Sequence, residues 1–264
     1  MSERSLRLKQ RLKSGETTFG AWLSTSNPNT AEIMAGTGYD WVLIDAEHGP
    51  FGIEGLQVVL MAFKGSPSVP IVRVAWNDPV RIKQILDLGA DGILVPMVNS
   101  ASEARAAVAA CKYPPEGIRG FGPRRASDYG RDIEGYTAQA NASLITILQI
   151  EHVDAVPVID EILDTPGLDV VCVGPTDLSG SAGVLRQFGH PVVVSALETI
   201  IARSKARGLP VCMGVAFDPD EIARWAALGA TFVLAGEDTS LLRVAATRAL
   251  EQTRAAVAKH PSAP

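Results

Sequence analysis

Eight short apolar runs, each followed by a longer stretch with helical spacing, constrain this chain more than any other feature of it. The runs are Phe19–Leu23, Trp41–Asp45, Ile71–Ala75, Gly92–Met97, Ile145–Ile150, Val170–Gly174, Val211–Val215 and Phe232–Ala235. They are nearly continuous in apolar and β-branched residues and do not alternate with polar ones. That is the pattern of parallel strands covered on both faces by helices. The intervening helical patterns are Thr30–Ala35, Gly55–Phe63, Val80–Leu88, Ser102–Cys111, Val156–Leu163, Val192–Ala206, Pro219–Leu228 and Leu241–Ala258. Asn77-Asp78-Pro79 and Asp218-Pro219 supply helix starts, and Gly89, Gly208 and Gly229 stand where helices should end.

Eight strand–helix repeats predict an α/β fold, either a closed (β/α)8 TIM barrel or a large open sheet. The count of eight and the absence of any GxGxxG turn favour the barrel. A length of 264 residues suits one such barrel, read here as a single domain over residues 1–264. The segment from Lys112 to Ser143 is read as an unusually long connection, rich in Gly, Pro and Arg where it begins. It is either a solvated loop or part of an active-site rim.

Charge narrows the classes. The net charge is -5, and the only basic run, Arg4 to Lys13, interleaves with Leu6, Leu8 and Leu12 as a short surface helix would. A nucleic-acid partner is therefore not expected. Neither a signal segment nor a membrane span is expected, and three scattered cysteines, Cys111, Cys172 and Cys212, suit a reducing compartment. The expectation is a cytoplasmic protein.

In a barrel of this kind, chemistry collects at the C-terminal ends of the strands. The second strand ends in Asp45-Ala46-Glu47-His48-Gly49, which gathers two acids and a histidine. Asp45 could instead cap a helix and His48 could be merely solvated. Arg73 lies inside an apolar strand, where a cation needs a counter-charge. We read it as facing the barrel mouth, with a salt bridge to Asp45 or Asp87 as the structural alternative. The fifth strand ends in Gln149-Ile150-Glu151, and the sixth in Gly174-Pro175-Thr176-Asp177. Adjacent strands lie about 4.8 Å apart, so Glu151 and Asp177 could share one cation, with Mg²⁺ or Mn²⁺ as the natural choice. Taken singly, each could equally be a local backbone acceptor or a helix cap. The turn Gly174–Asp177 could hold a carboxylate on its N–H groups. Val215 and its neighbours could line a substrate pocket. Asp87, late in a helical pattern, has no role that sequence position alone supplies.

Taken in order, Phe19–Leu23, Asp40–Pro50, Val72-Arg73-Val74, Ile82–Ala90, Pro96-Met97-Val98, Tyr113-Pro114-Pro115 with Arg119-Gly120, Gln149-Ile150-Glu151 and Gly174–Ser179 resemble the HpcH/HpaI family of class II pyruvate aldolases. The resemblance implies a TIM barrel of the phosphoenolpyruvate/pyruvate type and a divalent metal (Mg²⁺, Mn²⁺ or Co²⁺) on Glu151 and Asp177. It implies that Arg73 contacts the keto oxygen and that His48, with Asp87, handles proton transfer. Asp45 would support the site, Gln149 would lie beside the metal, and backbone at Thr176 and Asp177 would hold the pyruvate carboxylate. It also implies a homo-hexamer, a trimer of dimers, with the C-terminal helix exchanged between subunits. The implied reaction is cleavage or formation of 4-hydroxy-2-oxo acids from pyruvate or hydroxypyruvate and an aldehyde. Thr176 stands where the family usually has Ala, and Ala46 where it usually has Gly. The alternatives are oxaloacetate decarboxylation or macrophomate-synthase-like chemistry of the same enolate, and a non-enzymatic metabolite-binding barrel.

Overall fold

The computed structural model describes residues 3–214 and 219–259. Eight parallel strands close into a barrel in sequence order. They are β1 (Thr18–Leu23), β2 (Trp41–Asp45), β3 (Val69–Arg73), β4 (Gly92–Val95), β5 (Ile145–Ile150), β6 (Val170–Val173), β7 (Val211–Met213) and β8 (Phe232–Glu237). The helices are α1 (Glu3–Lys13), α2 (Pro28–Gly36), α3 (Ile53–Ala62), α4 (Pro79–Asp87), α5 (Ala101–Cys111) and α6 (Ile133–Ser143). They continue with α7 (Ile159–Leu163), α8 (Pro175–Ser181), α9 (Pro191–Ala206), α10 (Pro219–Leu228) and α11 (Asp238–Ala258). The predicted barrel is thus present, and Gly89, Gly208 and Gly229 adopt the positive φ that ends a helix.

Two apolar layers hold it. Outward residues of the strands pack on the helices, while Trp41, Leu43, Ile71, Leu94, Ile147, Cys172 and Phe232 fill the interior. Trp41 stacks on Phe232 with ring centroids 3.7 Å apart. Gly20, beside Trp41 in the β1–β2 register, leaves space that this ring occupies; a Cβ there would collide with it.

The segment read as a short surface helix is α1, but its apolar face is not on the surface. Leu8 and Leu12 join the interior cluster. Arg4 bonds Asp91 at 2.6 Å and Lys9 pairs with Asp169 at 2.9 Å, just before β4 and β6. The helix therefore closes the N-terminal end of the barrel, and its cations are engaged there.

Three other expectations change. The long connection after Lys112 contains a 3-10 turn (Arg125–Gly130) and all of α6. Only Tyr136, Ala140 and Ser143 of that helix are buried, so it has no apolar stripe to read. The helix expected over Val156–Leu163 is shortened to α7, with a separate 3-10 turn (Val153–Ala155) ahead of it; Pro157, between the two, has no N–H to join them. β3 ends at Arg73, which puts that residue at the strand's C-terminal edge.

The helix α11 does not cover its own barrel. Among its 21 residues only Asp238 is buried, and Leu242, Val244, Leu250 and Val257 are more than half exposed. Phe19, on the outer face of β1, is 50% exposed, and Ala235 of neighbouring β8 is exposed too. No helix among the described residues is long and apolar enough to cross a membrane.

Candidate active site

The turn after β2 is wound around one carboxylate. Asp45 Oδ1 accepts the N–H groups of Glu47 and His48, each at 3.2 Å. Gly49 returns its N–H to the Asp45 carbonyl, against which a Cβ at position 49 would clash. This short loop folds Glu47 inward and leaves His48 largely exposed.

Asp45 and Arg73 are register partners on β2 and β3. The guanidinium donates from Nε to Asp45 Oδ1 at 2.9 Å and from Nη2 to Oδ2 at 2.8 Å. Its Nε also lies 3.2 Å from Glu47 Oε2, and Trp22 sits beneath it at 4.3 Å. Arg73 thus occupies the barrel mouth, as expected, and it is also the salt bridge that the structural alternative named. Burial works against ionising either member. The paired hydrogen bonds outweigh it, holding Asp45 below its ordinary range and Arg73 above its own.

Glu151 follows β5 directly and is buried. Its Oε1 accepts the Met97 N–H at 2.8 Å, and its Oε2 accepts the Gln149 side-chain amide. Met97 has φ 53, a left-handed conformation that costs a non-glycine residue about 1–2 kcal/mol. That conformation accompanies the bond from the end of β4 to a carboxylate of β5. Burial raises the Glu151 pKa; the two hydrogen bonds offset part of this, and the charges of Glu47 and Asp177 add to it. Glu47 is raised in the same way, by burial first, with Arg73 opposing and Asp45 and Asp177 reinforcing.

Gly174 begins the turn after β6. A Cβ there would lie 2.5 Å from Glu151 Oε2 and 3.0 Å from the Gln149 amide nitrogen. Pro175 and Thr176 open α8, with Asp177 exposed in its first turn. The structure therefore brings Asp45, Glu47, Arg73, Gln149, Glu151, Gly174 and Asp177 to one end of the barrel.

The sequence profile of the HpcH/HpaI aldolase/citrate lyase family matches residues 18–245. The chain belongs to that family. A relative in Salmonella dublin, a 4-hydroxy-2-oxo-heptane-1,7-dioate aldolase, is 45% identical over 237 residues, 89% of each chain. The crystal structure of a family protein from Burkholderia cenocepacia superposes with a TM-score of 0.89 at 34% identity, covering 94% of this chain and 99% of its own. Macrophomate synthase gives a TM-score of 0.84 at 27% identity, covering 97% and 91%. This HpcH/HpaI chain is an enzyme, an aldolase, and its (β/α)8 barrel is the family's fold.

One expected pairing is not made. Asp87 ends α4 and pairs with Arg119 at 2.7 Å, while the His48 imidazole has Glu47 3.8 Å from its Nε2. The expected His48–Asp87 pair is not made within this chain. Val215 falls outside the described residues.

Two participants carry no sequence assignment. Glu47 was visible only as a second acid in the β2 turn, and its spacing from Asp45 does not reveal that it turns inward. Met97 acts through its backbone, which no residue type advertises.

Proposed function

We propose that the chain catalyses reversible aldol cleavage of a 4-hydroxy-2-oxo acid, with pyruvate or hydroxypyruvate as the donor half, and that a divalent cation, Mg²⁺, Mn²⁺ or Co²⁺, is held by Glu151 and Asp177. One observation carries this reading. Glu47, Glu151 and Asp177 repel one another at the mouth of the barrel, with Arg73 as the nearest cation to Glu47 and already paired to Asp45. The buried Gln149 Oε1 has no hydrogen-bond partner, and Glu47 Oε2 has only its ion-pair contact with Arg73 and a longer approach of His48. An oxygen-rich cluster with excess negative charge suits a hard divalent cation that keeps positions open for substrate. Two protein carboxylates would bind it directly, and Glu47 and Gln149 would face its remaining ligands.

When bound, the cation supplies Lewis-acid polarisation of the 2-keto group. Arg73 donates to the oxygen on which charge develops as the carbon–carbon bond breaks, and Asp45 fixes the direction of that donor. His48 takes the proton of the 4-hydroxyl. Asp87 ends α4 four residues before Asp91, at the barrel end that α1 closes, so it could orient only the imidazole of another subunit. The Gly174–Asp177 turn rests against the carboxylate of the donor. No lysine is needed as a nucleophile.

We also propose that the oligomer, a hexamer built from dimers, exchanges α11 between subunits. The supporting facts are the exposed apolar side chains of α11 and the uncovered outer faces of β1 and β8 at Phe19 and Ala235. Each is the complement the other lacks. Three buried free cysteines fit a cytoplasmic setting.

The test is cleavage of 4-hydroxy-2-oxo acids before and after chelation. EDTA should abolish turnover and Mg²⁺, Mn²⁺ or Co²⁺ should restore it. Turnover that survives both EDTA and Glu151→Ala would dismiss the scheme. Release of carbon dioxide from oxaloacetate without aldehyde turnover would assign the same residues to decarboxylation.

A further inference from the structure

Trp22 is buried beneath Arg73, with the guanidinium carbon 4.3 Å from its ring centre. What holds Trp22 in place comes from the far end of the chain. The β1–β8 register slips at this point: two steps along β1, from Gly20 to Trp22, match three along β8, from Leu234 to Glu237. A bulge of this kind at a barrel rim re-aims the side chains beside it. Here Glu237 and Asp238 meet the end of β1. Asp238 Oδ1 accepts the Ser24 N–H at 2.9 Å, and its Oδ2 accepts the Thr25 N–H at 3.1 Å and the Thr25 hydroxyl at 2.6 Å. Glu237 Oε1 accepts the Ser24 hydroxyl at 3.0 Å.

This is not how a helix start ordinarily spends its acids. Asp238 is the first residue of α11, where the free N–H groups of the first turn are its natural partners. Its described bonds go to the β1 loop instead, and Glu237 makes no side-chain cap. Asp238 is 6% exposed and is the one buried residue of α11. The described donors to both carboxylates are hydroxyls and main-chain N–H groups. Burying a carboxylate on neutral donors alone is costly. What the arrangement achieves is to tie the two residues that follow Leu23 to β8. The Trp22 indole has little else to fix it, since its own N–H reaches the Gly214 carbonyl only at 3.4 Å.

We propose that Asp238 is a positioning residue of the reaction: by fixing Ser24 and Thr25 it sets the Trp22 ring against which Arg73 is aimed. The proposal rests on the reading of Arg73 as the donor to the keto oxygen. It predicts that Asp238 contributes to turnover through Arg73 and by no other route.

Steady-state kinetics of the full chain with saturating Mg²⁺ test this, with light scattering as the record of assembly. Asp238→Ala should lower kcat by about 10-fold, within the range for a small misplacement caused from outside the reacting groups. The KM of the oxo-acid should be nearly unchanged, since Arg73 acts in the reacting state. Asp238→Asn, which keeps one acceptor oxygen, should recover part of the loss. In a chain that already carries Arg73→Ala, adding Asp238→Ala should remove no further turnover. Losses that multiply would overturn the proposal, because a defect of folding or assembly acts whether or not Arg73 is present. Wild-type turnover in Asp238→Ala would overturn it as well, and so would a loss seen only where the assembly comes apart. Wild-type turnover in Arg73→Ala would sink both the proposal and the reading beneath it, so the two failures are distinguishable. If Asp238→Ala does not fold, Thr25→Val and Ser24→Ala, each of which removes one hydroxyl bond to β8 or α11, take its place in the same cycle, with the same criterion of non-additivity.

Discussion

Arg73 and Asp45 meet as a two-pronged ion pair, at 2.9 and 2.8 Å, across the C-terminal edges of β3 and β2. Both are buried, and Trp22 backs the guanidinium from below. In the proposed reaction this pair aims the guanidinium at the keto oxygen of the substrate. Arg73→Ala is therefore expected to lower kcat by about 10²–10³-fold, the loss typical of one donor to a developing oxyanion, while Mn²⁺ still binds. Asp45→Ala strands a buried cation and should cost about 3–5 kcal/mol of stability. Steady-state kinetics, metal titration and urea melts read these three quantities separately. Near-normal turnover in Arg73→Ala would remove the residue from the chemistry.

Gly174 offers a smaller perturbation of the same place. Adding one methyl group would press on Glu151 Oε2 at 2.5 Å and on the Gln149 amide at 3.0 Å. Gly174→Ala should weaken Mg²⁺ affinity by 10-fold or more, on the order of the loss seen when groups around a ligand are disturbed. The melting temperature without metal should fall as well, because the methyl group would also stand 2.9 Å from Glu151 Cβ, and it serves as the control for the loss of affinity. Calorimetric titration measures the first and thermal unfolding the second.

The acids also set a pH dependence whose sign is fixed. Glu47 and Glu151 have raised pKa values, through burial first; Arg73 opposes this at Glu47 and two hydrogen bonds oppose it at Glu151, while neighbouring carboxylates, Asp45 and Asp177 in the one case and Glu47 and Asp177 in the other, add to it. A carboxyl raised in the folded state contributes stability that is full below its unfolded pKa and is lost as pH rises through the folded value. Asp45 is lowered in spite of its burial, by Arg73, so its contribution is lost only as pH falls through a value below the ordinary one. Across about pH 5 to 7, above the ordinary carboxylate range, the glutamates dominate. The metal-free protein should lose stability as pH rises, and the gain in melting temperature from saturating Mg²⁺ should grow. A gain that is equal or larger at pH 5 would contradict this assignment.

Much of the barrel can be read from the chain because its strands are buried on both faces and so form unbroken apolar runs, as in Trp41-Val42-Leu43-Ile44. The helix α6 escapes the same reading because only three of its residues are buried. The leucines of α1 show amphipathic spacing, but nothing in that spacing distinguishes a barrel plug from a surface helix. Site residues at strand ends, such as Arg73 and Glu151, follow from the fold once strand boundaries are placed. Contacts that depend on backbone direction do not: the inward turn of Glu47 and the Met97 N–H on Glu151 arise from loop geometry. The Asp87–Arg119 pair joins residues 32 apart in sequence through a loop whose path the sequence does not specify.

The helix α11 presents Leu242, Val244, Leu250 and Val257 to solvent, while Phe19 and Ala235 lie uncovered on the barrel. Deleting residues 238–264 should convert the assembly to monomers or soluble aggregates. The double change Leu242→Glu with Val244→Glu should shift the mass toward the monomer without unfolding the barrel. Light scattering coupled to gel filtration, with circular dichroism as the control, decides between this and a helix that plays no part in assembly.

The most direct measurement is the anomalous diffraction of a crystal soaked in Mn²⁺ and pyruvate. One Mn²⁺ site is expected between the Glu151 and Asp177 carboxylates, with the oxo-acid oxygens completing its shell within reach of Arg73. Those two side chains pointing apart, with manganese elsewhere or nowhere, would contradict the account.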